Sequence, residues 1–414
     1  MNKPLLDIVN HAYKTVPFYK ELLTDKGINI NSIIEENNFT KLPLVTKEMI
    51  QSEGERILSE KYIHYPQYPN LSVRRTSGST GKYLKIYWNN EDNIRSLMEL
   101  WYRRKKYFDI SPNNKFCYFY TTDYIQNKLV EEKDISISPL NRSIGFSKNG
   151  LNTEKVREIY DKMYEFDPIW LMLQPSIAIL LANCIQDNDL PRFKSLKYIE
   201  LTGEFLLETD RARLTDIFQC SICNQYGCIE ANSIASDFGD QQLHCHTSNV
   251  YIEIIKDGHV VPDGTEGDLY ITSLTNYAMP LIRYKIGDKG RLLHSDSNIS
   301  PILELTMGRV NEFVIDENND KLPPYIFLRP IEHINEKLGI VINQFQVIQT
   351  GVNNFTVKLA VKTSYLGWQE TLKKQFISNI KQPSLRNVQW NFEFTNHLFP
   401  ENETGKVAYF YNRI

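Results

Sequence analysis

A regular alternation of strand and helix patterns between residues 115 and 218 constrains this chain more than any other feature. Phe116-Cys117-Tyr118-Phe119-Tyr120 is an unbroken apolar and aromatic run of strand length. Positions 152–166 carry apolar residues at helical spacing. Ile169-Trp170-Leu171-Met172-Leu173 reads as another strand, and Pro175-Ser176 opens an apolar helix that runs through Ile185. Leu196-Lys197-Tyr198-Ile199-Glu200-Leu201 is a further strand, followed by a charged helix. This pattern predicts an α/β layered fold on a largely parallel sheet. Ligands of such sheets sit at the carboxyl ends of the strands, where Thr202-Gly203-Glu204 falls.

Upstream lies Arg74-Arg75-Thr76-Ser77-Gly78-Ser79-Thr80-Gly81-Lys82, followed by the strand-like Tyr83-Leu84-Lys85-Ile86-Tyr87-Trp88. Glycines let a backbone turn tightly and bring its N–H groups close to a ligand. Ser77, Ser79 and Thr80 add hydroxyl donors, while Arg75 and Lys82 add positive charge. That mixture suits the oxygens of a nucleotide triphosphate. The spacing is not that of a Walker A loop, and a polar hairpin turn is the competing reading.

Around this segment the chain is punctuated clearly. Leu5, Leu6, Ile8, Val9 and Tyr13 predict a first helix ended at Val16-Pro17, and Thr46 predicts the cap of a short one. Positions 91–107 predict one long amphipathic helix with Leu97, Leu100, Trp101 and Tyr102 in the core. Beyond His244, short strands over 250–255, 267–272 and 290–293 alternate with Gly, Pro and Asp turns and predict a β subdomain. Gly287-Asp288 taken alone is a turn. After Gly308-Arg309 come a strand, a helix over 330–338 and strands such as 355–361. The predicted division is therefore a large domain over 1–308, with its β subdomain over 244–308, and a small α+β domain over 309–414.

Composition removes several function classes. Forty-seven basic and 50 acidic residues leave a net charge of −3, no footprint for nucleic acid or an anionic membrane. No apolar run approaches the length of about 18 residues needed to span a bilayer, and the first residues lack a signal-peptide core. Six cysteines in a chain this long do not form a disulfide framework. The expectation is a cytoplasmic enzyme.

Five segments then occur in an order that resembles the adenylate-forming superfamily, the group that includes acyl-CoA synthetases and peptide-synthetase adenylation domains. They are Thr76-Ser77-Gly78-Ser79-Thr80-Gly81, Tyr226-Gly227-Cys228-Ile229-Glu230, Arg283-Tyr284-Lys285-Ile286-Gly287-Asp288, Gly308-Arg309 and Glu403-Thr404-Gly405-Lys406. Within it, Ala278-Met279-Pro280-Leu281-Ile282-Arg283-Tyr284, Val16-Pro17-Phe18-Tyr19 and Gln344-Phe345-Gln346-Val347-Ile348-Gln349 are similar to the phenylacetate–CoA ligase, coenzyme F390 synthetase and CapK-like subgroup. The likeness covers essentially the whole chain.

The resemblance implies a two-step chemistry in which a carboxylate attacks the α-phosphate of ATP and the acyl-adenylate then meets a second acceptor. It implies that Thr76 to Lys82 hold phosphates and that Glu230 ligates Mg²⁺. By the same token Gly203, Glu204, Tyr226 and Gly227 line the adenine site, Asp288 accepts the ribose hydroxyls, Arg309 contacts ribose or phosphate, and Lys406 is catalytic. Tyr83 stands where the family usually has proline, and Asn311-Glu312 where it has two aspartates. Some relatives carry a Cys-and-His cluster here, so Cys223, Cys228, His244 and Cys245, with Cys220 and His246 beside them, offer zinc-like ligands. The cysteine usual near position 238 is Phe238, and the same cysteines also read as small packing residues.

For the acceptor, the resemblance implies coenzyme A or a separate acyl or aryl carrier protein, and the expectation drawn here is the carrier. Tyr118, Tyr120 and Phe146, with Phe116, Ser143 and Asn149, are the candidate acid pocket. They suggest a small aromatic acid of the hydroxybenzoate type, as used by activating enzymes of siderophore pathways. Phenylacetate–CoA ligase is the alternative, and amide ligation of an amino or sugar acid a third. A non-catalytic nucleotide-binding scaffold is the reading from another class.

Overall fold

The computed structural model describes residues 3–35, 38–63, 71–75, 84–120, 135–294, 300–307, 313–322, 324–339, 341–361, 363–400 and 407–414. They fall into two compact units, Met1–Ser111 with Asn224–Arg309, and Pro112–Cys223 with Val310–Ile414. No helix among the described residues is long and apolar enough to cross a membrane.

In the first unit the helices Lys3–Thr15 and Pro17–Asp25 meet at Val16, which is extended, as a residue before proline prefers. Leu5, Ile8, Val9, Ala12 and Tyr13 turn one face of the first helix into the core. They share that core with Ile86, Trp88 and Tyr284. The strand Leu71–Arg75 pairs antiparallel with Lys85–Asn89, and Arg75 stands opposite Lys85, so the two strands flank the Ser/Thr/Gly-rich segment as the arms of a hairpin. Thr46 caps the helix Lys47–Glu53 by accepting the Met49 amide, as its side chain predicts.

The rest of this unit is an antiparallel sheet. Its order runs from His259–Val260 through Val250–Lys256, Gly267–Ser273, Tyr284–Leu293, Ile302–Met307, Leu243–Cys245 and Ala235–Ser236 to Ser221–Tyr226. Asp288 sits inside the long strand Tyr284–Leu293 rather than in a turn. Gly287 there has φ 95°, and the register shifts on both neighbouring strands, which marks an irregular, bulge-like stretch.

The helix expected over 91–107 is broken into Asn90–Arg95 and Met98–Phe108. Leu100 is buried as expected, but Tyr102 is 62% exposed while Arg103 and Arg104 are buried. Arg103 earns its interior place through partners. Its guanidinium donates to the carbonyls of His244 (2.7 Å) and Cys245 (2.8 Å) and pairs with Glu99. A buried charge is tolerated when matched in this way.

The second unit holds the alternating pattern. Tyr198–Thr202, Trp170–Leu173, Phe116–Tyr120 and Ser143–Ser147 run parallel in that order, and Ile135–Ile137 adds an antiparallel edge. Cys117, Ile144, Phe146, Leu171, Leu173, Ile199 and Leu201 share one core with the helices Thr153–Phe166, Pro175–Asp187 and Glu208–Phe218. Asn152 caps the first of these through the Lys155 amide at 2.9 Å. A second sheet, ordered Gln389–Thr395, Asn354–Val361, Ile342–Gly351 and Phe410–Asn412, packs with Leu328–Leu338 and Gln369–Asn379 around a core drawn from residues 314–410.

One buried ion pair fixes the first unit internally. Arg283, at a left-handed φ of 48°, donates to both oxygens of Glu253 at 3.0 Å, and each side chain is 3% exposed. The same guanidinium reaches the carbonyls of Thr40 and Leu42, so it joins the N-terminal segment to the sheet. Glu253→Ala leaves that charge buried without its counter-ion and is expected to cost about 3–5 kcal/mol. Urea unfolding measures it, and a loss below about 1 kcal/mol would mean the pair is solvated like a surface bridge.

Candidate functional site

Gly227 is where the site begins. A Cβ at this position would lie 2.0 Å from the Asn232 carbonyl oxygen and 2.7 Å from Gln225 Nε2. Only glycine fits, and the chain can then fold back so that the Ile234 amide returns to the Tyr226 carbonyl at 2.9 Å. The returning residue, Asn232, is itself left-handed at φ 59°. Its side-chain oxygen accepts from Arg74 Nη1 at 2.8 Å, and its amide nitrogen donates to Asn93 (3.1 Å) and Ser96 (2.7 Å). Trp88 Nε1 donates to the Ile229 carbonyl at 3.2 Å. Both arms of the hairpin are thus tied to the turn 227–232.

Glu230 lies on that turn, and Asp288 reaches Tyr226 from the strand Tyr284–Leu293. The Tyr226 hydroxyl donates to Asp288 Oδ2, which joins the expected adenine and ribose residues directly. Glu230 is buried, and the Tyr284 hydroxyl lies 3.4 Å from its Oε1. Burial first, and then the Glu230 charge, push the Tyr284 phenol far up, so it stays a neutral donor. Cys228 is likewise pushed well up, by burial and then by Glu230 and Asp288. Asp288 can exchange the Tyr226 hydroxyl for those of a ribose, and Glu230 is a hard oxygen donor of the kind Mg²⁺ takes alongside phosphate oxygens.

In the second unit Gly203 follows its strand at φ 84° and is exposed. Glu204 accepts the Ser176 amide at 2.9 Å and the Ser176 hydroxyl at 3.0 Å, at the N-terminus of Pro175–Asp187. It also accepts the Val407 amide at 3.2 Å. Of the acid-pocket residues, Tyr118 and Tyr120 share one sheet face with Phe116, their rings 5.6 and 6.2 Å from neighbour to neighbour. Tyr118 lies across Gly145, where a Cβ would come 2.6 Å from its ring. Phe146 is on the opposite face. It stands opposite Phe119 in the register and is fully buried in the helix-side core, so the structure does not bring it to the two tyrosines.

The zinc alternative finds no support in the geometry. Among the described residues no three of His, Cys, Asp and Glu group to hold a metal, so Cys223, Cys228, His244 and Cys245 do not converge. An aromatic stack occupies the neighbourhood instead. Phe238 lies between Tyr107 (4.3 Å) and His244 (4.4 Å), with the Arg103 guanidinium 4.9 Å from its ring. His244 Nε2 is taken by Asp240 at 2.7 Å, and burial pushes the Cys245 thiol up to about 12. His246 is engaged at both ring nitrogens by Ser233 (2.7 Å) and Ser236 (2.9 Å). Thr76, Ser77, Gly78, Ser79, Thr80, Gly81, Lys82, Arg309 and Lys406 lie outside the described residues. The reading of the sequence missed Asn232, Asn93 and Ser176. An asparagine five residues beyond Gly227, in a residue type tolerant of positive φ, was the available signal.

The chain is 22% identical to CapK of Staphylococcus aureus over 100% of its own length and 88% of that protein's. It is 21% identical to the phenylacetate–coenzyme A ligase of Escherichia coli K12 over 86% of this chain and 81% of that enzyme. Among solved structures, 2-hydroxyisobutyryl-CoA ligase, in the postadenylation state with an acyl-AMP bound, superposes with a TM-score of 0.74 at 15% identity, covering 99% of this chain and 88% of that one. No family model matches. The fold is that of the adenylate-forming ligases, and the sequence is similar to CapK and the phenylacetate–CoA ligases.

Gly227→Ala is expected to abolish nucleotide binding by displacing Asn232, and to cost about 1–3 kcal/mol in stability as overpacking does. Calorimetric titration with ATP checks it, and wild-type affinity would show that the turn does not shape the site. A second expectation concerns pH. Burial, then Arg103 and Arg104, hold His246 well below 6.5 in the folded protein, whereas in the unfolded chain it titrates near 6.5. Below that value the unfolded chain takes up a proton that the folded one does not. Stability therefore falls with pH there, by up to about 1.4 kcal/mol per unit. Unfolding curves at neutral and mildly acid pH should show this slope, reduced in His246→Gln.

Proposed function

We propose that this chain is an ATP-dependent acid–coenzyme A ligase: it activates a small carboxylic acid as its acyl-adenylate, releases pyrophosphate, and passes the acyl group to the thiol of coenzyme A. The observation that carries the reading is the bond of the Tyr226 hydroxyl to Asp288 beside the turn that carries Glu230, a turn tied to the two strands Leu71–Arg75 and Lys85–Asn89. The named relatives and the fold support it. They favour coenzyme A over the separate carrier protein expected from the sequence, and nothing among them supports a siderophore role. The half-buried row Phe116, Tyr118 and Tyr120 favours an aryl acid of the phenylacetate class over an aliphatic one.

The steps follow from charge. A carboxylate and a triphosphate repel, so the site must supply cations and oriented donors where the new negative charge develops. In this reading the loop from Thr76 to Lys82 gives N–H, hydroxyl and ammonium donors to the phosphates. Tyr226 flanks the adenine, and Asp288 accepts the ribose diol after releasing the tyrosine hydroxyl. Glu230 would hold Mg²⁺, which neutralises phosphate charge when bound. Lys406 supplies the cation between the attacking carboxylate and the α-phosphate.

Acid-dependent ATP–pyrophosphate exchange across aryl, aliphatic and amino acids tests the reading, with thioester formation assayed on coenzyme A. Exchange with an aryl acid, a thioester product and a loss of at least about a hundredfold in Lys406→Ala are expected. ATP binding without exchange for any acid would overturn the enzyme reading in favour of a nucleotide-binding scaffold.

A further inference from the structure

We infer that the outward face of residues 91–105 is a contact between two copies of this chain, paired antiparallel about Met98. This contact is independent of the ligase reading above. The stretch has the reverse polarity of an ordinary surface helix, which turns its apolar side chains inward.

Polar side chains hold the inner face of the helices Asn90–Arg95 and Met98–Phe108. Asp92 accepts the Tyr277 amide at 2.9 Å, and the Ser96 hydroxyl accepts from the Asn232 side chain at 2.7 Å. Arg103 takes the carbonyls of His244 and Cys245. Each inward group serves a loop of this unit, and apolar side chains are left outside. Ile94 is 57% exposed, Met98 61% and Tyr102 62%. Ser96 and Leu97, between the two helices, keep right-handed dihedrals. The three exposed residues are spaced by four positions, so they line up on one side. A contiguous apolar stripe among exposed charges marks an interaction surface.

Symmetry and charge select a second copy as the occupant. Ile94 and Tyr102 each lie four positions from Met98, and Glu91 and Lys105 each lie seven. A two-fold axis through Met98 therefore sets Ile94 against the partner's Tyr102, and Glu91 against the partner's Lys105, and repeats both contacts on the other side. Such an isologous contact needs no second surface. Glu91, at one end of the stripe, and Lys105 and Lys106, at the other, are exposed. Antiparallel pairing brings these opposite charges together, whereas parallel pairing would set the lysines of both copies side by side. Arg95 is matched within its own turn by Asp92 at 3.6 Å. Lys105 reaches Asp109 through exposed side chains, a pair that is exchanged at little cost. Lys106 lies over the Tyr102 ring at 5.7 Å, so cation and apolar stripe are adjacent. At about 1.5 Å per residue the stripe is roughly 21 Å long. That is a small interface, of the class that associates weakly and reversibly, with a Kd of about 1–100 μM.

The test is sedimentation velocity of the full chain at concentrations of about 1–500 μM, a range that brackets such a Kd. Wild type is compared with Met98→Asp, Tyr102→Ser, Glu91→Lys, Lys105→Glu and the double variant Glu91→Lys/Lys105→Glu, each checked for folding by circular dichroism. Wild type should pass from monomer to dimer as concentration rises. Met98→Asp, which sets two carboxylates together on the axis, should raise the Kd about a hundredfold. Either charge reversal alone should raise it about tenfold, and the double variant should return it to near the wild-type value. If Met98→Asp does not fold, Tyr102→Ser carries the same comparison, with a loss of about tenfold. A wild-type chain that stays monomeric throughout would overturn the inference and leave the stripe to a different protein. A dimer that persists unchanged in Met98→Asp and Tyr102→Ser would also overturn it, because its contact would lie elsewhere. Charge reversals that weaken the dimer singly and do not recover in the double variant would sink the antiparallel pairing.

Discussion

At Gly227 the backbone passes so close to the Asn232 carbonyl that no side chain fits between them, and the polar order of the first unit follows from that approach. Because the turn closes there, the Asn232 amide faces Arg74, Asn93 and Ser96 together. Each of these bonds contributes only about 0.5–1.5 kcal/mol net. Their effect is collective, since a buried polar network is stable when all its members are satisfied. Arg74 and Trp88 belong to opposite hairpin arms, so the register of the hairpin and the position of the turn are set by one another. Tyr226 and Glu230, at either end of the Tyr-Gly-x-x-Glu segment, inherit that rigidity.

Glu253 and Glu230, both buried, and the half-buried Asp288 are treated in two ways. Glu253 meets the Arg283 guanidinium through two bonds, a geometry that orders the fold and gives nothing to a ligand. Glu230 and Asp288 each accept from a tyrosine hydroxyl instead. A hydroxyl is a donor that a ribose hydroxyl or a metal-bound water can replace at little cost, because like is exchanged for like. The contrast separates carboxylates that hold the protein together from those suited to a ligand.

Much of this was legible because local chemistry decided it. Thr46 and Asn152 mark helix starts through their own side chains, and Val16-Pro17 forces an extended residue between helices. The parallel sheet could be read because its strands alternate with helices in sequence. What failed depended on partners far along the chain. The run Phe116 to Tyr120 has no polar member to mark a face, so Phe146 could be assigned to the Tyr118 side. Its register opposite Phe119 puts it in the core. Tyr102 was expected inside because an aromatic outranks an arginine in hydrophobicity, yet Arg103 finds carbonyls near residue 244 that no spacing rule reveals. Gly287-Asp288 has the residues of a turn and lies in an irregular strand. The Cys and His residues were close in sequence but were separated by where their strands run, with Phe238 stacked in their midst.

The carboxyl end of the strand Tyr198–Thr202 sharpens the division of roles. In an open α/β sheet this edge, with the N-terminus of the preceding helix Pro175–Asp187, is where an anionic ligand is expected to bind. Here the Glu204 carboxylate already satisfies the Ser176 amide, so the chain has filled that anion site with a group of its own. Glu204 meets backbone at two places, the Ser176 amide at the start of that helix and the Val407 amide far along the chain.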